Sequence, residues 1–168
     1  MNRIYTPTAT KQQTVQDNFD TGRAFEMYVI NLFNEHSFHL KKWRESKKFD
    51  DTFSSLEHTY PDLELIFKGP KKYQFAVECK WRTEFLNGKI IWATDTQICS
   101  YRMFQDRVRI PVFVAIGIGG KPAGPEKLFV TPLNNICMHN EVFESNLIPF
   151  KRKPTHEFGY DIRQLRLF

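Results

Sequence analysis

Two apolar stretches, Tyr60–Phe67 and Tyr73–Trp81, flank Gly69-Pro70-Lys71. Glycine and proline side by side are turn chemistry, and stretches rich in β-branched and aromatic residues around them predict a β-hairpin. With those three residues as the loop, Leu63 faces Val77, Leu65 faces Phe75 and Phe67 faces Tyr73, so one face is wholly apolar. On the other face Asp62 lies opposite Glu78 and Glu64 opposite Ala76. A slip of one residue would scramble both faces, which makes the pattern itself an argument for this register, whereas a slip of two would keep the faces and shift the partners.

Directly opposed residues in such a pair have Cβ atoms about 4.5–5.5 Å apart, and like charges there are destabilising. Asp62 and Glu78 therefore need a compensating partner, and a divalent cation with hard oxygen ligands is the natural one. Lys80 leaves the same face about 6–7 Å further along the strand. Taken alone, Asp62, Glu78 and Lys80 could also be the solvent side of an amphipathic hairpin.

The rest of the chain organises around that hairpin. A helix is predicted from Arg23 to about Asn34, capped by Asp20 or Thr21, with Phe25, Val29, Leu32 and Phe33 on one buried face. Glu26 lies at the edge of that stripe. Residues 37–43 read as a first strand and 44–59 as a charged loop. Thr94-Asp95-Thr96-Gln97 fits a capping box opening a second helix to about Arg107. Pro111 precedes Val112–Ile116, a continuous apolar run typical of a central strand buried on both faces, and Leu128–Val130 reads as an edge strand. The order predicts an α/β fold, a central mixed sheet of four to five strands flanked by helices. Residues 1–19 read as a polar arm, 20–145 as the domain and 146–168 as a basic, aromatic tail.

Composition narrows the setting. The 168 residues are enough for one domain, and no apolar run approaches a membrane span. Met1–Asp20 lacks the apolar core of a secretory signal. Cys79, Cys99 and Cys137 are an odd, scattered set that argues against a disulfide framework or a zinc site. Together these features predict the cytoplasm. A net charge of +5 permits a nucleic-acid partner without demanding one.

Pro61-Asp62 on one strand and Glu78-Cys79-Lys80 on its partner resemble the signature of the PD-(D/E)xK nuclease superfamily, which includes restriction endonucleases, Holliday-junction resolvases and RecB-type exonucleases. A second Glu-x-Lys, Glu45-Ser46-Lys47, lies in a charged stretch without strand character. Two more features fit the resemblance. Glu26 matches the acidic residue that many members carry on the first helix, and Gln97-Ile98-Cys99-Ser100-Tyr101 matches the Gln-x-x-x-Tyr motif of RecB-like members. For these residues a surface carboxylate, a helix cap and a packed tyrosine are the competing readings.

The resemblance implies a restriction-endonuclease-like core and Mg²⁺- or Mn²⁺-dependent hydrolysis of DNA in repair, recombination or restriction. It implies Asp62, Glu78, the Cys79 carbonyl and Glu26 as metal ligands and Lys80 as the residue that orients water and stabilises charge. Gln97 would hold a phosphate or the Lys80 region, and Tyr101 would position the nucleic-acid strand. The Cys79 side chain, on the apolar face, is expected to be inert. Lys41, Lys42, Arg44, Lys47, Lys48 and Arg82 are candidate phosphate contacts by charge and position. No helix-turn-helix or zinc-finger pattern that would read bases is present. Cutting both strands needs two sites, so a chain this small is expected to act as a homodimer or as a subunit of a larger complex. The alternatives are a nuclease-like module that binds nucleic acid or protein without turnover, and an unrelated α/β domain whose charged face binds a protein.

Overall fold

The computed structural model describes residues 9–44 and 60–168, with side chains from residue 17 onward. In chain order the main elements are α1 (Ala9–Asn31), β1 (Phe38–Trp43), β2 (Leu63–Lys68), β3 (Lys72–Arg82), β4 (Lys89–Ile91) and α2 (Asp95–Val108). They continue with β5 (Val112–Ile118), β6 (Lys127–Pro132), β7 (Glu141–Phe143), α3 (Glu144–Leu147), β8 (Lys151–Arg152), β9 (Tyr160–Asp161) and β10 (Arg166–Leu167).

One mixed sheet of six strands, in the order β1-β2-β3-β5-β6-β8, forms the centre. Only the β3–β5 pairing in it is parallel, and α2 makes the crossover between those strands. The hairpin register is the one its faces require: Leu63 pairs with Val77, Leu65 with Phe75, Phe67 with Tyr73 and Lys68 with Lys72. Period-2 alternation then sorts the core into two layers. Leu63, Leu65, Phe75, Val77, Phe113 and Ala115 pack against Phe25 and Val29 of α1 and against Leu32 and Phe33 just after it. Ala76, Val112, Val114 and Ile116 pack against Ile98, Tyr101 and Phe104 of α2. Because β5 is covered on both sides, every one of its residues is buried, which is why its sequence is an unbroken apolar run.

The structure departs from the sequence expectations at both ends. α1 starts at Ala9, so Asp20 and Thr21 lie inside the helix and cap nothing. Residues 9–20 contain neither glycine nor proline, so nothing in them interrupts a helix. The Leu128–Val130 strand is not an edge: β8 pairs beyond it, with Leu128 opposite Arg152 and Phe129 opposite Lys151, making the sixth strand. The residues after 146 are part of the α1-side core. Tyr160 stacks on Phe75 at 5.1 Å between centroids, and Phe158 and Leu167 are buried in the same layer. The Phe158 N–H donates to the Leu32 carbonyl at 2.8 Å, and the Tyr28 hydroxyl donates to the Pro154 carbonyl at 2.7 Å.

Gly117 leaves room on the sheet for Phe25 of α1. A Cβ there would lie 2.8 Å from Phe25 Cζ, inside van der Waals contact. Gly117→Ala is therefore expected to force Phe25 or α1 outward and to destabilise the fold by about 1–3 kcal/mol, the usual range for overpacking. Chemical denaturation at constant m-value checks this; an unchanged midpoint would show that α1 yields freely.

Candidate active site

The candidate residues meet where β3 ends, beside the crossover to α2. Glu78 and Lys80 pair in register with Val114 and Ile116 and so turn toward the α2 layer. Cys79 turns the other way and packs on the α1 layer. The polar face of the hairpin is consequently not a solvent face: Glu78 is 3% exposed and Glu64 7%.

Two groups converge on one oxygen of Glu78. Tyr101, brought in by α2, donates its hydroxyl to Glu78 Oε1 at 2.6 Å. Lys80 Nζ lies 2.6 Å from the same oxygen and 3.3 Å from the Tyr101 hydroxyl. Glu78 Oε2 is buried with no hydrogen-bond partner among the described residues. A buried carboxylate oxygen in that condition costs free energy unless something answers it. Asp62 sits just before β2, and its Oδ2 accepts the Cys79 N–H at 2.8 Å, which ties it to the strand that carries Glu78. Glu26 is buried on α1, and its Oε2 accepts the Trp43 indole N–H at 2.6 Å.

The electrostatics bind these groups into one cluster. Burial, then the negative charges of Glu78 and Glu26, hold the Asp62 carboxyl well above the usual aspartate range. Burial also raises Glu26, against the Trp43 hydrogen bond, and Glu78 adds to the rise. Burial works against the Lys80 ammonium, yet Glu78 and Asp62 together raise its pKa above the ordinary lysine value. Tyr101 is pushed upward by burial and by Glu78, so it stays a hydroxyl donor. Burial followed by the Asp62 charge raises the Cys79 thiol, which disfavours the thiolate form.

Three mutually repelling carboxyls, answered by one ammonium, one phenol, one indole and one backbone N–H, match the chemistry of a hard divalent cation, and Glu78 Oε2, unanswered among the described residues, is an available ligand atom. Among the described residues no three His, Cys, Asp or Glu side chains already form a closed ligand set.

Other predicted site residues do different work. Gln97 completes the capping box: its Oε1 accepts the Thr94 N–H at 3.1 Å, its own N–H donates to Thr94 Oγ1 at 3.2 Å, and it bonds neither Lys80 nor Glu78. Tyr101, predicted to position a nucleic-acid strand, is 2% exposed and holds Glu78 instead. Arg82, predicted to contact phosphate, donates to the carbonyls of Ile91, Trp81 and Trp92 at 2.9, 2.8 and 3.0 Å, and so ties β3 to the segment leading into α2. The Arg44 guanidinium is likewise turned inward, toward Glu64 and the Pro61 carbonyl. Lys42 is exposed, and Lys41 is exposed beside Glu64 at 3.6 Å. Lys47 and Lys48 lie outside the described residues.

Sequence reasoning missed the tryptophans, two of which stand against the cluster. Trp43 holds Glu26, Trp81 follows Lys80 and donates to the Gly119 carbonyl at 3.1 Å, and fully buried Trp92 lies 6.3 Å from the Tyr101 ring. Their positions at strand ends were visible in the sequence, but the partners lie on other elements.

The raised Asp62 pKa fixes the sign of a pH effect. A carboxyl whose folded pKa exceeds its unfolded value of 3.8 contributes stability below that value and loses it as pH rises through the folded pKa. Asp62→Asn keeps an acceptor for the Cys79 N–H, so it is expected to raise Tm at neutral pH in chelator, with the gain shrinking to nothing as pH falls below about 3.8. Thermal melts across pH check this, and a variant less stable at neutral pH than the parent would contradict it.

The sequence matches no protein-family model and no curated protein. Among solved structures the chain is similar to Hjc, a Holliday junction resolvase from the archaeal hyperthermophile Archaeoglobus fulgidus. The TM-score is 0.54 at 16% identity, over 79% of this chain and 95% of that one. At that identity the likeness is one of fold: this chain has a restriction-endonuclease-like α/β core, a mixed central sheet flanked by helices.

Proposed function

We propose that the chain is a metal-dependent nuclease of the PD-(D/E)xK kind that hydrolyses DNA phosphodiester bonds in repair, recombination or restriction. The observation that carries this reading is the junction of Asp62, Glu78 and Lys80 at one strand end, with a buried and unpartnered Glu78 Oε2, on a fold similar to a resolvase. Asp62, Glu78, the Cys79 carbonyl and Glu26 would hold Mg²⁺ or Mn²⁺. Such a cation supplies Lewis acidity and a more acidic water when bound.

The protein's own groups then have distinct tasks. Lys80 stays an ammonium, so it is a donor rather than a base: it directs N–H groups at the attacking water and at the oxygens of the scissile phosphate, where negative charge develops. Tyr101 fixes Glu78 Oε1 and leaves Oε2 to face the ligand. Trp43 does the same for Glu26 by engaging one of its two oxygens. Lys41 and Lys42, with Lys47 and Lys48 in the charged segment that follows, are the cations proposed to meet the DNA backbone. The chain is proposed to act as a homodimer or as a subunit of a larger assembly, because two strands need two cuts. Among the described residues no helix is long and apolar enough to cross a membrane.

One observation favours the second reading, a nuclease-like module that binds DNA without turnover: the three acids are not already closed into a ligand set among the described residues. Incubation with linear, circular, branched and single-stranded DNA in Mg²⁺ and in Mn²⁺ separates the two. A nuclease cleaves at least one form, and chelator abolishes the cleavage; a binding module retains DNA and never cuts it. Lys80→Ala is expected to keep Mn²⁺ binding, because the carboxylates remain, and to lower cleavage by at least about 10²-fold. Cleavage at the parental rate by the folded variant would remove Lys80 from the mechanism and with it this assignment.

A further inference from the structure

Asp62 lies one residue outside the paired register of β2 with β3. The paired register of β2 begins at Leu63, and the preceding residue is a proline, which has no N–H to give. What holds this stretch of main chain is Arg44. The Arg44 N–H donates to the Asp62 carbonyl at 2.8 Å, and Arg44 Nη1 donates to the Pro61 carbonyl at 2.6 Å. One residue thus grips two consecutive carbonyls at the point where the Asp62 side chain leaves the backbone.

The guanidinium is itself fixed on every side. Its Nη2 pairs with Glu64 Oε1, and its Cζ lies over two rings, 5.6 Å from the centroid of Tyr60 and 5.4 Å from that of Phe104. Glu64 is anchored in turn, with Oε2 accepting from Gln74 Nε2 at 3.1 Å and lying 3.6 Å from Lys41 Nζ. The Arg44 side chain is 14% exposed, and Glu64 is buried. A phosphate contact would need an exposed fork. This fork is enclosed, bonded and stacked, and its geometry matches one carboxylate and one carbonyl simultaneously, which a lysine cannot do.

We infer that Arg44, braced by Glu64, is a positioning residue that sets the Asp62 carboxylate against β3 and thereby tunes the affinity of the site for a divalent cation. The cation half of this inference rests on the nuclease reading; the placement of Asp62 does not. Partners that orient a metal ligand commonly change metal affinity by about 10–100-fold when removed.

The two halves are separable because the Cys79 amide reports on Asp62 directly. That N–H donates to Asp62 Oδ2, so its hydrogen exchange measures how firmly the carboxylate is held, with no metal present. The experiment uses the full chain as parent, Arg44→Lys, Glu64→Gln, and Asp62→Ala as the reference for a lost acceptor. In metal-free buffer, Arg44→Lys is expected to speed exchange at Cys79 by at least about 10-fold while Val114 and Ala115 in the central strand keep parental rates. Glu64→Gln should move Cys79 the same way by a smaller factor. Titration with Mn²⁺ alone should then show affinity reduced by about 10-fold or more in Arg44→Lys, with metal-free DNA binding and its salt dependence unchanged.

Parental Cys79 exchange in both variants, or equal acceleration at every amide, would overturn the inference by assigning Arg44 no role or only a role in general stability. Weaker metal-free DNA binding with a shallower salt slope would overturn it in favour of a phosphate contact. If the parent bound no Mn²⁺, the nuclease reading would fail, and the Cys79 exchange would still decide the placement of Asp62.

Discussion

The pairing of β2 with β3 is the constraint from which the rest of the molecule follows. Three loop residues set its register, and side chains on both faces hold it there, Leu63 and Leu65 under α1 and Ala76 under α2. A shift of one residue would turn Leu63 and Leu65 toward the α2 layer and expel Glu64 and Asp62 from it. The same register that buries the hydrophobic residues therefore forces acids into neighbouring positions. Chemistry and packing are not separately adjustable in this hairpin.

That coupling carries a cost in stability, and the surrounding elements reduce it by local means. α2 contributes a phenol, β3 its own lysine, and β1 an indole, each neutralising or solvating one carboxylate oxygen. The compensation is incomplete, since among the described residues one oxygen of Glu78 has no answering donor, and two acids stay hard to ionise. An unsatisfied carboxylate oxygen between two packed layers is what the proposed cation would answer.

Much of this was legible in the sequence because it depends on short-range patterns. Period-2 alternation and a Gly-Pro turn specify the hairpin, a 3.6-residue stripe specifies the core face of α1, and Thr94 with Gln97 specifies the start of α2. What was not legible depends on partners distant in the chain. Arg44 and Arg82 looked like surface cations because charge alone says nothing about which carbonyls a guanidinium will meet. Gln97 satisfied two patterns at once, and the local one, a cap three residues away, was realised. The aromatic residues after 146 had no periodicity to assign them, since their place is set by partners far back in the chain, Tyr160 by Phe67 and Phe75 and Phe158 by Phe33. The start of α1 was hidden for the opposite reason: a polar stretch without a breaker carries no boundary signal.

The distribution of indoles has a practical side. The chain has three tryptophans, and two of them stand against the acidic cluster: Trp43 is bonded to Glu26, and Trp92 packs near Tyr101. Trp81 bonds the Gly119 carbonyl and packs with the α1 layer. Intrinsic fluorescence, commonly a diffuse average over a molecule, here draws on two emitters that touch residues of the cluster. Changes in charge or hydration around the carboxylates reach the emission of this protein without any label being attached.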